Sequence, residues 1–289
     1  MLGYEEFKKV LRQEVQKFMK EEVYVQTVKK NNEQGKETLS FRAKEFNLIP
    51  SIHLKDLFEE FQSGKSMDEC VMFVREVFGM NKQIQLDEVW GTWDEKKNLV
   101  RIRMINREWN RKQLEQIPHR IFCDLAVTFR IEYPTGKRSI VGYDINYQTL
   151  EYWGITEQEL IETAFENLRQ TEYTICDLEA VVLELLGEPQ KEQTSGRQYV
   201  MTNSNYFYGA AGILRTDLLS KFAEEHDCDF YILPSSVHEC LFIPDSEEIP
   251  ADELREMVRE VNATQVEVEE RLSDEVYYFE KEIGKLKIA

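Results

Sequence analysis

The hydrophobic and polar positions follow two different periods, and these periods predict helices and hairpins in mixed order along the chain. Tyr4, Phe7, Leu11, Val15 and Phe18 recur at steps of three and four residues, which predicts an amphipathic helix. The runs VYVQTV and ETLSFRA flank the polar segment KKNNEQGK, and this arrangement predicts a hairpin after that helix.

Two further hairpins are predicted in the second half of the chain. Between residues 121 and 145, every second position from Leu125 to Ile131 is apolar, and a Pro-Thr-Gly sequence supplies the turn. The segment DFYILPSSVHECLFIP, residues 229–244, is expected to form the other hairpin, because two apolar runs flank a polar turn near Ser235.

Capping residues mark the starts of several helices. Ser66 with Glu69, and Thr156 with Glu159, have the spacing of a capping box. A last helix-like segment is predicted over residues 274–286. The hairpins and helices lack the regular strand–helix–strand order of a parallel sheet. The predicted fold class is therefore α+β, with antiparallel or mixed sheets built from hairpins and with packed helices.

The length of 289 residues and the 42% of hydrophobic residues allow one large domain or two ordinary ones. We predict an N-terminal α+β region over residues 1–95, made of a helix, a hairpin and further helices. A C-terminal α+β domain over residues 96–289 carries the LPSSVHE hairpin.

Charge and cysteine content narrow the class of protein. The net charge of −18 argues against binding to a nucleic-acid backbone, and residues 245–289 carry 14 acidic against 6 basic residues. Charged residues interrupt the first apolar positions, and about 18 consecutive apolar residues occur nowhere, so neither a secretory leader nor a membrane span is expected. Five scattered cysteines without a C-x-x-C pair indicate reduced thiols. We expect an acidic cytoplasmic protein.

The polar tip of the 229–244 hairpin contains residues that a hydrolase could use. Ser236 and His238 share one face of a strand, as a nucleophile and its base would. Glu239 falls on the opposite face and cannot orient that histidine, and no G-x-S-x-G sequence is present. The structural interpretation is a turn whose serine hydroxyls bind local backbone amides.

Metal binding is considered because His226-x-Cys228 and His238-x-Cys240 lie on segments expected to pair. Imidazole and thiolate are zinc ligands. A turn centred near Ser235 pairs position 230 with position 240, and this register leaves the two histidines several ångströms too far apart for one ion. We predict no metal and no cofactor.

The second half of the chain contains other polar residues in apolar surroundings. Arg101 and Arg103 alternate with apolar residues in a predicted strand, as on the wet face of a sheet, and they belong to the one notable basic patch. Asp124 and Asp144 interrupt an apolar hairpin, and a solvated or salt-bridged role is favoured for both. The small residues of YGAAGIL, residues 208–214, are explained by close backbone packing as well as by phosphate binding.

Several phrases are similar to those of an uncharacterised family of bacterial proteins. They are VKKNN, IPSIHLKDLFEEFQSGKSMDE, YVMTNSNYFYGAAGIL, ILPSSVHECLFIPDSEE and MVREVNATQVEVEERLSDEVYYFE. The chain resembles a clostridial family catalogued as a domain of unknown function, with LPSSVHE and LSDEVY as its signature. A more distant resemblance links it to a second uncharacterised, bacillus-type family. These resemblances imply a bacterial cytoplasmic protein and bring no known activity.

Two functional hypotheses follow. The sequence favours a non-catalytic protein-interaction or regulatory protein that binds an unknown protein partner through an apolar or acidic surface, with no nucleic acid or membrane as partner. The alternative is a hydrolase or a small-ligand-binding protein, whose polar residues meet if the strands ending in MTN and LPSS are neighbours. The candidate ligand-binding residues are Asn203, Tyr208, Ser235, Ser236, His238 and Glu239; no catalytic residue is predicted.

Overall fold

The computed structural model of the chain describes residues 2–29, 31–33, 35–41, 52–80, 91–134, 140–186, 197–234, 236–247 and 249–289. The chain forms two compact units, Met1–Gly91 and Thr92–Ala289. The paired strands of both units are antiparallel and are covered by helices, which confirms the predicted α+β class. Independent folding of the N-terminal region stays a prediction.

The first unit packs helices on a three-stranded sheet of order β1-β2-β3. Its strands are β1 Val23–Lys29, β2 Gly35–Phe41 and β3 Ile52–His53, and its helices are Tyr4–Gln16, Leu54–Gln62 and Met67–Met80. The β1–β2 pairing confirms the first hairpin. The predicted amphipathic face buries Phe7, Leu11 and Val15 completely, and Ser66 with Glu69 forms the predicted capping box.

The second unit begins with a four-stranded sheet centred on a long strand. The strands are β4 Val100–Asn106, β5 His119–Phe122, β6 Leu125–Pro134 and β7 Ile140–Asp144. β4 pairs with one side of β6, while β5 and β7 also pair with β6. Alternate residues of β6 from Leu125 to Ile131 are buried in the main core, as the sequence pattern predicts. The predicted Pro-Thr-Gly turn lies outside the described residues.

A six-stranded sheet of order β13-β12-β10-β11-β9-β8 completes this unit. Its strands are β8 Tyr173–Asp177, β9 Tyr199–Asn203, β10 Phe230–Leu233, β11 Cys240–Pro244, β12 Tyr277–Glu280 and β13 Lys285–Ile288. One face packs Phe230, Phe242 and Phe279 into the main core, next to Phe222 of the Thr216–His226 helix. The other face packs against the helix Ala251–Thr264.

The remaining helices of the second unit are Trp93–Lys96, Arg111–Leu114, Tyr147–Trp153, Glu157–Gln170 and Leu178–Leu186, with a 3₁₀ helix at Gly209–Leu214. Thr156 caps the Glu157–Gln170 helix by accepting from the Glu159 amide, as the capping-box spacing predicts. Among the described residues, none of the helices has both the length and the hydropathy of a membrane span.

Two sequence predictions about this sheet are wrong. Residues 274–286 are not helical, because Tyr277 and Phe279 are fully buried at alternate positions of β12 and Gly284, at φ +66°, turns the chain into β13. The 229–244 hairpin pairs Phe230 with Pro244, not with position 240. The segment between its strands is instead a longer connection, which bridges to Arg271 through Ser236.

Candidate functional site

Three guanidinium groups lie on one face of the β4–β6 sheet. Arg101 is the cross-strand neighbour of Arg130, and Arg103 follows two residues after Arg101 on β4. Arg103 and Arg130 are each only 8% exposed. The expectation that Arg103 belongs to the wet face of a strand is therefore wrong, because residues from elsewhere in the second unit cover it.

Two carboxyl groups partner these arginines. Asp144 Oδ2 lies 3.0 Å from Arg103 Nη2 and also accepts from Gln113 Nε2 at 3.1 Å. Glu132 Oε1 lies 3.2 Å from Arg130 Nε. The salt-bridged role expected for Asp144 is thus what the structure shows. Paired charges of this kind lower the large cost of burying guanidinium groups.

Several polar atoms of this group are buried without a hydrogen-bond partner among the described residues. They are Arg103 Nε, together with Arg130 Nε and Glu132 Oε1, which face each other as an ion pair at 3.2 Å without the geometry of a hydrogen bond. Burial raises the pKa of Glu132, which is only 9% exposed, although Arg130 acts in the opposite direction. Burial also acts to lower the pKa of Arg103, but Asp144 and Tyr208 together outweigh it, so that the pKa is raised and the guanidinium stays charged. Unsatisfied buried groups are costly, which makes them candidates for binding a ligand.

A loop after β9 brings Tyr208 onto the arginines. Arg130 Nη1 donates to the Tyr208 hydroxyl at 2.8 Å. The Asn203 side chain holds the loop, since its Oδ1 accepts from the amides of Asn205 and Phe207 and its Nδ2 donates to the Phe207 carbonyl. Tyr208 has φ +53°, a left-handed conformation that bulky residues rarely adopt.

The small residues after Tyr208 are required by close packing of the backbone. A Cβ atom at Gly209 would lie 2.5 Å from Thr202 Oγ1 and closer still to the His238 carbonyl oxygen. At Gly212 it would lie 2.7 Å from the Tyr173 ring. This packing accounts for the YGAAGIL sequence without a bound phosphate.

His238 lies against Tyr208 from the connection between β10 and β11. The two rings stack with centroids 5.6 Å apart, and the Tyr208 amide donates to His238 Nδ1 at 3.3 Å. His238 Nε2 faces Glu270 Oε1 at 3.5 Å. The Ser236 hydroxyl oxygen accepts from the His238 amide at 3.0 Å, so the serine stabilises the turn.

A small cavity opens beside Tyr208. Its polar lining includes Arg101, Glu132, Tyr173, Asn203 and Tyr208, and its apolar lining includes Ile102, Leu168 and Phe207. The volume is about 20 Å³, which is enough for one water molecule or for a head group of similar size. We refer to Arg101, Arg103, Arg130, Glu132, Tyr208 and His238 as the Tyr208 cluster.

The structure brings four of the six predicted ligand-binding residues together. Asn203, Tyr208, Ser236 and His238 are linked by the contacts above, because β9 and β11 are adjacent strands, with Met201 opposite Cys240. Ser235 lies outside the described residues. Glu239 is half-buried, and the described contacts do not join it to the Tyr208 cluster.

Sequence reasoning missed Arg130 and Glu132, which face the predicted residues from the other sheet. The available signal was charge in alternation with the buried residues of β6, in the order Phe129, Arg130, Ile131, Glu132. Alternation alone does not distinguish a solvated face from one that another segment covers, so it could not identify these residues as a site.

The two His-x-Cys pairs have separate surroundings. His226 ends the Thr216–His226 helix and packs on Phe222 and Tyr199, whereas His238 packs on Tyr208. Within the part of the chain that the structure describes, no three His, Cys, Asp or Glu side chains form a group that could hold a metal ion. Burial raises the pKa of the Cys240 thiol well above its usual value, which disfavours the reactive thiolate.

A second polar network joins the LSDEVY phrase to the first sheet of this unit. The hydroxyls of Ser273 and Tyr277 each donate to Asp124, at 2.6 Å. Both donors are completely buried, and burial and the adjacent Asp124 raise the Tyr277 pKa well above its usual value. Asp124, which is half-buried, therefore accepts from two hydroxyl groups, and these partners were not expected from the sequence. Because every polar atom in this contact is used, the network is structural.

The family of the chain follows from a match along almost its whole length. No curated protein and no solved structure is significantly similar to the chain. The profile of the family of unknown function DUF5688 matches residues 4–281, which include both units, the LPSSVHE connection and the LSDEVY network. The chain therefore belongs to DUF5688, a family of unknown function.

Proposed function

We propose that this protein is a non-catalytic binding protein that recognises a small polar ligand at the Tyr208 cluster. This keeps the non-catalytic part of the first sequence hypothesis and the ligand-binding part of the second. The proposed location is the cytoplasm of a clostridial bacterium, and it rests on the resemblance of the sequence phrases.

One observation carries the proposal. Arg103, Arg130 and Glu132 are more than nine-tenths buried and retain polar atoms without a hydrogen bond among the described residues, and Glu132 lines the small cavity. A purely structural network would be expected to satisfy these atoms, as the Asp124 network does. Convergent polar groups in a concave site with a raised carboxyl pKa are typical of ligand sites.

The geometry supports binding in preference to hydrolysis. A serine hydrolase needs the serine hydroxyl to donate to the imidazole. Here Ser236 Oγ accepts from a backbone amide, and His238 Nδ1 accepts from the Tyr208 amide. These groups therefore stabilise the fold around Tyr208 instead of forming a nucleophile and base.

A protein partner is the second candidate, and a surface of the Ala251–Thr264 helix favours it. Met257 is 40% exposed on this helix, where Glu253, Glu256 and Glu260 are also exposed. This acidic surface, which also exposes Met257, suits a partner that presents basic side chains. This surface corresponds to the acidic one that the sequence hypothesis invokes.

Nuclear magnetic resonance tests the first candidate against the second. Mixtures of small polar metabolites are added to ¹⁵N-labelled protein, and the amide shifts of residues 101, 132 and 208 are followed. The proposal expects saturable shifts at these residues that Tyr208→Phe weakens, without turnover of the bound compound. Turnover that Ser236→Ala abolishes would contradict the non-catalytic assignment. Capture of a protein that Met257→Glu releases, together with unchanged spectra in every mixture, would favour the partner.

A further inference from the structure

We infer that the Tyr208 cluster binds a carboxylate head group, held by Arg101 and Tyr208 and sharing a proton with Glu132. This rests on the proposed function, since it names the ligand class for the same site. The inference follows from the donors that remain available, the size of the cavity and the surroundings of Glu132.

The cluster has more positive than negative charge, and it has donors left over. Three guanidinium groups face the two carboxyl groups of Glu132 and Asp144, which leaves one positive charge when both carboxyls are ionised. Arg101 donates through Nη1 to the carbonyls of Asn98 and Val100, and among the described residues its other nitrogens remain as donors. This positive charge attracts an anionic ligand, whose oxygens would accept from these donors.

Tyr208 supplies a second donor. Its hydroxyl oxygen accepts from Arg130, so the hydroxyl proton is available to a ligand. The stacked His238 ring and the hydrogen bond from the Tyr208 backbone amide to His238 Nδ1 fix the orientation of the phenol before a ligand arrives. A donor that is already oriented loses less conformational entropy on binding.

The cavity admits only the end of a ligand. A volume of about 20 Å³ holds one water-sized group, which corresponds to a single carboxylate oxygen. The lining residues Ile102, Leu168 and Phe207 provide apolar surface for the carbon atoms next to the carboxylate. The rest of a longer ligand stays outside the cavity.

Glu132 couples binding to pH, because two ionised carboxylates, its own and that of the ligand, are unfavourable side by side. The charged and titratable groups around it are Arg130 on its own strand, Arg101 and Arg103 on β4, Asp144 on β7 and Tyr173 on β8. Burial already raises the pKa of Glu132. A bound carboxylate adds a second negative charge next to it, so the pair takes up one proton, as carboxyl pairs that share a site do. Affinity is therefore expected to increase as the pH falls, as long as the ligand itself stays ionised.

Calorimetric titration of the full chain with sodium acetate tests the inference. Tyr208→Phe and Arg101→Gln each remove a donor and are expected to weaken acetate binding about tenfold, the effect of losing one hydrogen bond to a charged group. Tyr206→Phe and Arg107→Gln make the same chemical changes at exposed positions outside the cavity lining and are the matched controls. Circular dichroism melting of each variant verifies that it is folded.

The pH dependence separates this arrangement from unspecific attraction of anions. Wild-type protein is expected to take up protons, at most one per bound acetate, as measured in buffers with different ionisation enthalpies. Glu132→Gln, which can donate through its amide, is expected to bind acetate without proton uptake and with an affinity that does not change with pH. Proton-independent binding by the wild type, or loss of binding in Glu132→Gln, would overturn the inference.

Two further ligands identify the source of the carboxylate. Tetra-alanine with a free carboxyl terminus and its amidated form are titrated in the same way. Binding by the free form alone, tighter than acetate, indicates a peptide end, whereas binding by acetate alone indicates a small free acid; both support a carboxylate site. No carboxylate binding, with amide shifts at the cluster from other compounds, overturns the ligand class and leaves the proposed function. No shift at the cluster from any compound overturns both.

Discussion

Replacement of Tyr277 by phenylalanine removes one hydroxyl and leaves the packing of the ring unchanged. The Tyr277 side chain is completely buried, and its hydroxyl donates to Asp124 Oδ1 at 2.6 Å. Asp124 retains its other donor, Ser273, which binds Oδ2 at the same distance. The substitution therefore tests one bond of the network that joins the LSDEVY phrase to β6.

The expected loss is about 1.5–2 kcal/mol in the free energy of unfolding. A hydrogen bond to a charged group contributes about 1.5–3 kcal/mol, and Asp124 is half-buried, so that water replaces part of the lost interaction. For a unit of about 200 residues, each kcal/mol lowers the melting temperature by about 2–4 °C. The melting temperature of this unit is expected to fall by about 3–8 °C.

Scanning calorimetry and urea unfolding measure this loss, and a double-mutant cycle assigns it. Tyr147→Phe makes the same change at a side chain that is 44% exposed and is expected to alter stability by less than about 0.5 kcal/mol. In an Asp124→Ala background, Tyr277→Phe should cost at least about 1 kcal/mol less than in the wild type. An equal cost in both backgrounds would refute the assignment of this network.

Three other predictions concern the backbone, the first unit and the domain boundary. Gly209→Ala is expected to destabilise the second unit by about 1–3 kcal/mol in urea unfolding, because its Cβ would collide with backbone and side-chain atoms of residues 202, 203 and 238; a stability equal to the wild type would contradict the packing. The hydrogen bond from Lys8 lowers the pKa of Glu37, so its stabilising effect is complete above the unfolded-state pKa of about 4.3 and is lost as the pH falls through the folded-state value. Glu37→Gln should therefore reduce the stability difference between pH 6 and pH 3 in urea unfolding, and an unchanged difference would argue against the pair. Residues 92–289, expressed alone, are expected to give a dispersed amide spectrum that matches the corresponding resonances of the full chain, whereas a collapsed spectrum would show that the units fold together.

Local patterns were sufficient for most elements of the fold. The alternating apolar residues of β6 and the helix-spaced residues Phe7, Leu11 and Val15 are buried as their spacing predicts. The sequence wrongly predicts a helix over residues 274–286, because charged residues at three- and four-residue spacing around the aromatic residues imitate a helical pattern. The alternation of buried and partly exposed residues in β12 depends on pairing with β10, in which Phe230 is opposite Phe279, 49 residues away in the chain.

The sequence predicted the candidate-site residues that belong to the six-stranded sheet and its loops, but not those that β6 contributes. Asn203, Tyr208 and His238 could be grouped because two strand ends carry polar residues, and the pairing of β9 with β11 brings them together. Arg130 and Glu132 lie on another sheet, and their burial depends on the loop that carries Tyr208. A contact of this kind, between residues 78 positions apart in the chain, has no signature in a single sequence.

Acetate titration of protein labelled with ¹³C in its tyrosine rings tests the central claim most directly. The chain has 13 tyrosines, and the cavity is lined by Tyr173 and Tyr208. Binding at the Tyr208 cluster predicts saturable shifts of these two ring signals, assigned with Tyr173→Phe and Tyr208→Phe, and no comparable shift of the others. Saturable shifts confined to other tyrosines, or unchanged spectra up to saturating acetate, would contradict the account.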